Sequence, residues 1–340
     1  MSASLRNFLI TRLFLTIPMV LILITMVFLI MRVLPGDPIR SQLGPRVSET
    51  QANAIRERLG LNRPLYIQYF NFVWSMVTLD FGTALTQGER PILDELSERI
   101  PATIELTIPA MTFTSVFGIF LGALAARYRK KGPDYTIRLF SIIVYSIPIF
   151  FMGLLFQILF SVRLGILPLA GRMSPILLRN FESPTNFYVI DSIITQNWAA
   201  LGSVLAHLVL PSLTLGLALS GVFIRLTRVN MIEMLQSDFI TAGRARGIPE
   251  TKLTYRHALR NTFIPIMTLI GLQFAILLAG AVLTETTFSW PGVGRYLVER
   301  IALRDYTAVQ STIAVFAIFV AIITLTMDVL YAFIDPRIRY

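Results

Sequence analysis

The 340 residues contain no cysteine. Disulfides, thiol nucleophiles and Cys-ligated metals are therefore excluded. Histidine is nearly as scarce. His207 and His257 are the only two, too few to build a His-rich metal centre. Lysine occurs only at Lys130, Lys131 and Lys252. None of them follows a glycine, so no Gly-x-x-x-x-Gly-Lys-Ser/Thr phosphate loop is present. Charge is short as well. Charged residues make up 15% and hydrophobic residues 54% of the chain, against roughly 25% and 45–50% in soluble domains.

The charge that exists avoids six segments altogether: 13–31, 106–126, 139–162, 208–224, 261–284 and 306–327. A helix needs about 20 apolar residues to cross the hydrocarbon core. The shortest segment, 208–224, can extend backward, because no Asp, Glu, Lys or Arg lies between Asp191 and Arg225. In lipid the backbone must satisfy its own hydrogen bonds, which leaves helices as the spanning form. The expected fold is an all-α polytopic membrane protein with six transmembrane helices.

The basic residues sort by side. Arg6 and Arg12 precede the first span, and Arg127, Arg129, Lys130, Lys131 and Arg138 follow the second. Arg225, Arg228, Arg244, Arg246, Lys252, Arg256 and Arg260 follow the fourth, and Arg337 and Arg339 end the chain. The alternate connections are near neutral. The first carries seven basic and eight acidic residues between Asp37 and Arg99. The positive-inside rule then places both termini in the cytoplasm of a multi-pass inner (plasma) membrane protein. The same rule accounts for the net charge of +10 without a nucleic-acid partner. The first span has a basic start like a secretory signal. It is long for one and lacks a small-x-small cleavage site, so it reads as a retained anchor.

Three regions follow: 1–34 as tail and first span, 35–101 as an extracytoplasmic loop domain, and 102–340 as the transmembrane core. In the loop domain, Ser48 and Gln51 form a capping box and Gly60 suits the matching helix stop. Residues 65–77 carry Tyr66, Tyr69, Phe70, Phe72 and Trp74, which fits either a helix on the membrane surface or one packed into the small domain. Pro91 suits the first turn of a helix over 92–99. The outer stretch 164–202 is rich in Pro, Asn and Ser, with no fold legible in it.

The inner connection 225–260 is the most informative. A short helix over 238–246 is stopped by Gly247, and Pro249 opens a second through about Leu259. Small residues at Ala242, Gly243, Ala245 and Gly247 let another backbone approach closely, and flanking arginines can pair with acids. Periodicity alone favours a helical hairpin resting on the protein's own inner face.

At this loop the sequence resembles the inner-membrane permease subunits of binding-protein-dependent ATP-binding-cassette importers. It is most similar to the dipeptide and oligopeptide branch, and within that to dipeptide permeases. The motifs that carry the likeness run in order along nearly the whole chain. They are Leu34-Pro35-Gly36-Asp37-Pro38, Asp238-Phe239-Ile240-Thr241-Ala242 through Gly247, His257-Ala258-Leu259-Arg260-Asn261, the run 278–294 ending in Trp290-Pro291-Gly292-Val293-Gly294, and Asp335-Pro336-Arg337-Ile338-Arg339-Tyr340. The family's cytoplasmic signature has the form Glu-Ala-Ala-x-x-x-Gly. Anchored on Gly247, Thr241 and Gly243 depart from it and Ala242 matches. His257 to Arg260 stand where the general pattern ends in Ile-x-Leu-Pro.

The resemblance implies a non-catalytic subunit that forms a pathway for dipeptides or short peptides with a second, homologous permease. Two ATP-binding-cassette ATPases would supply the missing phosphate loop and hold ATP and Mg. An extracytoplasmic substrate-binding protein would deliver the peptide. Asp238, Thr241, Ala242, Gly243, Arg244, Ala245, Gly247, Ile248 and His257 would form the surface that docks in an ATPase groove. Relatives in this branch also move nickel complexes, glutathione or oligosaccharides.

Polar groups at membrane depth are few. Gln157, Gln273 and Glu285 can line a substrate path; interhelical hydrogen bonding or interfacial solvation explains them as well. Glu105 and Asp328 lie near span ends, His207 at an outer edge, and Gly118-x-x-x-Gly122 suits close helix packing. A secondary transporter or channel working without an ATPase is the alternative. Charge-free spans count against its ion-coupled form. No nucleophile–base pair or metal cluster supports a membrane enzyme.

Overall fold

A computed structural model of the chain describes residues 3–33, 48–58, 60–84 and 90–334. The motifs at Leu34 to Pro38 and Asp335 to Tyr340 lie outside the described residues, as do the side chains of Gln51 and Asp328. Among the described residues the fold is helical, with one isolated bridge between Thr83 and Pro91. Helix α1 (Ala3–Val33) leads to α2 (Glu49–Arg58) and α3 (Leu65–Thr78). Then come α4 (Ile92–Arg127), α5 (Gly132–Ser146) and α6 (Ile149–Phe156), which continues as a π-helical turn, Gln157–Arg163. Short α7 (Pro175–Leu178) and α8 (Tyr188–Ile194) precede the long α9 (Trp198–Leu235). The chain ends with α10 (Asp238–Ala245), α11 (Glu250–Lys252), a π-helical Leu253–Ala258, α12 (Leu259–Thr287), α13 (Val293–Ala302) and α14 (Tyr306–Ile334).

Four helical stretches, Ile10–Arg32, Ile92–Arg127, Trp198–Leu235 and Tyr306–Thr326, are each long and apolar enough to cross a membrane. Two bent pairs raise the number to six if each pair counts as one span. The segment 139–162 is therefore not the straight span its composition suggests. It turns by 102° between α5 and α6. Pro148 is the cause, because it pushes the preceding residue out of the α region, and Ile147 sits at φ −80°, ψ 125°. The second bend, 54°, lies between Phe263 and Pro265, where the proline removes a helical N–H. The helix expected to end near Leu259 does not end there. It runs on through the π-helical turn into α12.

The core is the crossing of α4 and α9. Lipid tails are as apolar as leucine, so helices in a membrane associate by close packing of small residues. A Cβ at Gly122 would stand 2.6 Å from Thr227 Cβ, and one at Gly216 would stand 2.8 Å from the Ala110 carbonyl. Gly118 meets Phe223 in the same way. Thr114 Oγ1 donates to the Gly216 carbonyl at 2.9 Å, tying a side chain of α4 to the backbone of α9. Toward the end of α9, its Arg228 grips Asp134 of α5 with two bonds, Nε to Oδ1 at 2.6 Å and Nη2 to Oδ2 at 2.8 Å.

The connecting regions 48–84 and 164–202 carry structure of their own. Helix α2 closes with Gly60 at φ +67°, where the Leu61 and Gly60 amides return to Arg56 and Glu57, as a Schellman turn does. Helix α3 has one packed stripe and one open one. Its Tyr69 and Phe72 pack on Phe28 of α1 at centroid distances of 5.3 and 5.9 Å, while Tyr66, Phe70 and Trp74 are exposed on the opposite stripe. The stretch 164–202 is held by long-range polar contacts. Arg172 donates to Glu105 Oε2 at 2.6 and 2.8 Å, and the Val189 amide to Oε1 at 2.6 Å. Asp191 accepts from the hydroxyls of Ser183 and Thr185, and Asn197 caps α9 by accepting from the Ala200 amide at 3.0 Å.

Candidate functional site

Helix α10 follows the C-terminal end of α9, and its two sides differ in kind. Ile240 and Gly243 are buried, one turn apart. They join Ala123 and Ala126 of α4, Met231 of α9, and Leu253 and Ala258 of the π-helical turn. Residues three apart share a helix face, so one face of α10 is anchored. The other face is open. Asp238, Phe239, Thr241, Ala242, Arg244, Ala245, Arg246 and Gly247 are exposed there.

The turn after α10 is set by backbone geometry. The Ile248 amide donates to the Gly243 carbonyl at 3.1 Å and the Gly247 amide to Arg244 at 2.9 Å. These are the two bonds of a Schellman closure. It requires a left-handed residue, and Gly247 has φ +74°. A Cβ there would meet nothing within 4 Å. Gly243 faces the opposite condition, since a Cβ at that position would stand 2.7 Å from Leu253 Cδ2. The departure from alanine at this signature position is thus matched by a large neighbour that fills the space.

Charge closes the hairpin. Arg244 Nε donates to Glu250 Oε1 at 2.5 Å, which holds the Glu250 carboxyl below the usual carboxylate range. Arg127 at the end of α4 stands over the Tyr255 ring at 5.7 Å. His257 is half-buried in the π-helical turn. The structure therefore brings Asp238 to Ile248 together on one hairpin and places His257 beside it on the supporting turn. Ile240 and Leu253 complete the support. Sequence reasoning passed over both, although the spacing of Ile240 and Gly243 marks a buried face.

The polar groups at membrane depth are placed elsewhere. Gln157 donates to the carbonyls of Leu169 at 2.9 Å and Thr287 at 3.1 Å. Glu285 is fully buried. It accepts from Thr103 Oγ1 at 2.6 Å and from the Arg295 amide at 2.9 Å, so it caps the start of α13. Gln273 is buried, and its Oε1 has no hydrogen-bond partner. His207 Nδ1 lies 2.7 Å from the Ser203 carbonyl. Among the described residues no group of three or more His, Asp or Glu side chains is arranged to hold a metal.

Comparison with known proteins gives the family of the chain. Residues 118–340 match the family described as "binding-protein-dependent transport system inner membrane component", and residues 5–107 match the N-terminal component of the same systems. The chain is 39% identical to the di/tripeptide transport system permease protein DppB of Pseudomonas aeruginosa, over 98% of this chain and 99% of that one. It is 40% identical to the dipeptide transport system permease protein DppB of Alkalihalophilus pseudofirmus, over 97% and 98%. It is 37% identical to the glutathione transport system permease protein GsiC of Escherichia coli K12, over 98% and 99%. Among solved structures, an inward-facing MetNI methionine ABC transporter shares the fold, with TM-score 0.52 and 14% identity over 69% of this chain and 93% of that one. This chain belongs to the family of inner-membrane permease components of binding-protein-dependent transport systems.

Proposed function

We propose that this permease moves dipeptides or other short peptides inward, sharing its pathway with a second, homologous permease. Two ATP-binding-cassette ATPases, holding ATP and Mg, drive it from the cytoplasm, and an extracytoplasmic binding protein delivers the peptide. The chain spans the inner membrane six times with both termini inside, and residues 35–101 form an outer domain. The observation that carries the reading is the two-sided hairpin of α10. Its buried face is tied to α4, α9 and the start of the α12 helix, and its exposed face, where Ala242, Ala245 and Gly247 lie among charged side chains, fits a groove in an ATPase. Force applied there reaches the spans directly. Asp238, Thr241, Ala242, Gly243, Arg244, Ala245, Gly247, Ile248 and His257 make up this coupling region.

Of the three polar groups at membrane depth, Gln157 and Glu285 already have structural partners. We assign Gln273 to the peptide path, because an unpaired buried amide oxygen needs a donor. The relatives named for peptides and glutathione support a substrate with peptide bonds and a free carboxylate.

Two experiments test the reading. The chain is co-expressed with its second permease and ATPases and reconstituted with the binding protein; labelled dialanine should then accumulate only with ATP. Uptake without any ATPase would overturn the proposal. For orientation, single cysteines at Glu49 and Lys252 exploit the Cys-free chain. An impermeant thiol reagent outside the membrane should label the first and spare the second.

A further inference from the structure

A cavity of about 200 Å³ lies where the end of α1, the inner side of α3 and the start of α14 meet. Arg32 is the only charged residue among those that line it. The guanidinium is half-buried, between the rings of Phe28 at 5.2 Å and Tyr306 at 5.1 Å. Its Nη1 donates to the Tyr306 hydroxyl. Its Nε has no partner, and no carboxylate among the described residues forms an ion pair with it. A partly buried cation without an anion is costly.

The rest of the lining is neutral and incompletely bonded. Gln68 spends its amide nitrogen on the carbonyls of Leu61 and Arg63, at 3.0 and 2.6 Å, and leaves Oε1 buried and unpaired. Gln310 is 94% buried, at 6% exposure, and its side-chain amide makes no hydrogen bond among the described residues. Asn71 adds an exposed amide at the rim. Buried polar groups are ordinarily paired, so a cation, an orphan acceptor and a buried amide around one space call for a common partner.

We propose that this cavity binds the carboxylate end of a peptide. A carboxylate takes the free Nε edge of Arg32 in a charge-assisted bond. The peptide N–H supplies the donor that Gln68 Oε1 lacks, which a simple inorganic anion does not, and the amides of Asn71 and Gln310 match the peptide group. The volume equals about seven waters at about 30 Å³ each, so it takes a short peptide segment and excludes a folded domain. The proposal rests on the peptide-import reading, in which this cavity is on the outer side and receives peptide before it enters the membrane.

The test uses the assembled importer in lipid discs, with Asn71→Cys as reporter and the same complex without it as background. Dialanine should slow thiol labelling of the reporter by about tenfold, a difference that one charge-assisted pair supplies. Dialanine with its C-terminus amidated should give no protection. Adding Arg32→Gln should remove the protection, and Gln310→Leu, which leaves the Arg32–Tyr306 bond in place, should reduce it severalfold. No protection, or equal protection by the amide, overturns the proposal; so does full protection in the Gln310→Leu complex, which decides the matter if Arg32→Gln fails to assemble. ATPase stimulation by loaded binding protein is measured on the parent importer in parallel. Stimulation without protection overturns the cavity alone, whereas no stimulation overturns the importer reading itself.

Discussion

Gly243 and Leu253 occupy one another's space. The glycine leaves a gap on α10, and the leucine of the π-helical turn fills it, 2.7 Å from where a Cβ would be. Leu253 is buried to 1% exposure, so it has little room to retreat. Gly243→Ala gains about 1 kcal/mol of helix propensity and incurs roughly 1–3 kcal/mol of overpacking. The expected result is a net loosening of α10 from its support. Tryptic cleavage after Arg244 and Arg246 in isolated membranes should speed up in Gly243→Ala and return toward the parent rate in Gly243→Ala with Leu253→Ala. Unchanged cleavage in the single variant would mean that the hairpin absorbs the methyl group without detaching.

Asp134 and Arg228 clamp the corner between α5 and α9. Asp134 is 1% exposed at its side chain and Arg228 19%, and the Lys130 amide also donates to Asp134 at 2.9 Å. Removing only the arginine strands a buried carboxylate. Arg228→Met should destabilise the purified chain by roughly 3 kcal/mol, the low end for a broken buried pair because the arginine is partly exposed. Asp134→Asn combined with Arg228→Met should regain more than half of the loss. Thermal unfolding in detergent measures both, and a double variant no better than the single one would refute the pairing.

Glu285 explains two glycines of the Trp290-Pro291-Gly292-Val293-Gly294 run. A Cβ at Gly292 would overlap its carboxylate, and one at Gly294 would stand 2.6 Å from Val282 Cα. The carboxylate needs that close approach to accept the backbone amides at the start of α13. Glu285→Ala leaves the Thr103 hydroxyl and the Arg295 amide unpaired, at about 1–3 kcal/mol per buried group. A lower unfolding temperature with an unchanged transport KM is expected. A severalfold rise in KM at unchanged stability would instead put Glu285 on the substrate path.

What could be read in the sequence was local. Runs without charge marked the membrane helices, and Gly60 and Gly247 marked helix ends, because both signals lie within a few neighbours. The bend at Pro148 was hidden, since Ile147 and Pro148 are as apolar as the helices they interrupt. The stretch 164–202 was illegible for a different reason. Its order comes from Arg172 reaching Glu105, 67 residues away, and no local pattern announces such a pair. The Arg32 cavity is of the same kind, joining the end of α1 to Gln68 and to Gln310.

Gly247 separates strain from docking. Its positive φ disfavours side chains by roughly 1–2 kcal/mol, with asparagine tolerated best, and a Cβ there meets nothing within 4 Å of this chain. Within the isolated permease, then, Asn should be mild, and Ala and Trp should cost about the same as each other. A side chain leaving this position starts out in open space. In the assembled importer the order should change. Gly247→Trp should assemble in the membrane yet lose most of the ATPase stimulation by loaded binding protein, while Gly247→Ala keeps most of it. Stimulation is measured per assembled complex in lipid discs, so lower abundance does not imitate lost coupling. If Trp and Ala behave alike in the complex as well, the open face of α10 does not meet the ATPase at Gly247. The hairpin would then serve only to brace α4, α9 and α12.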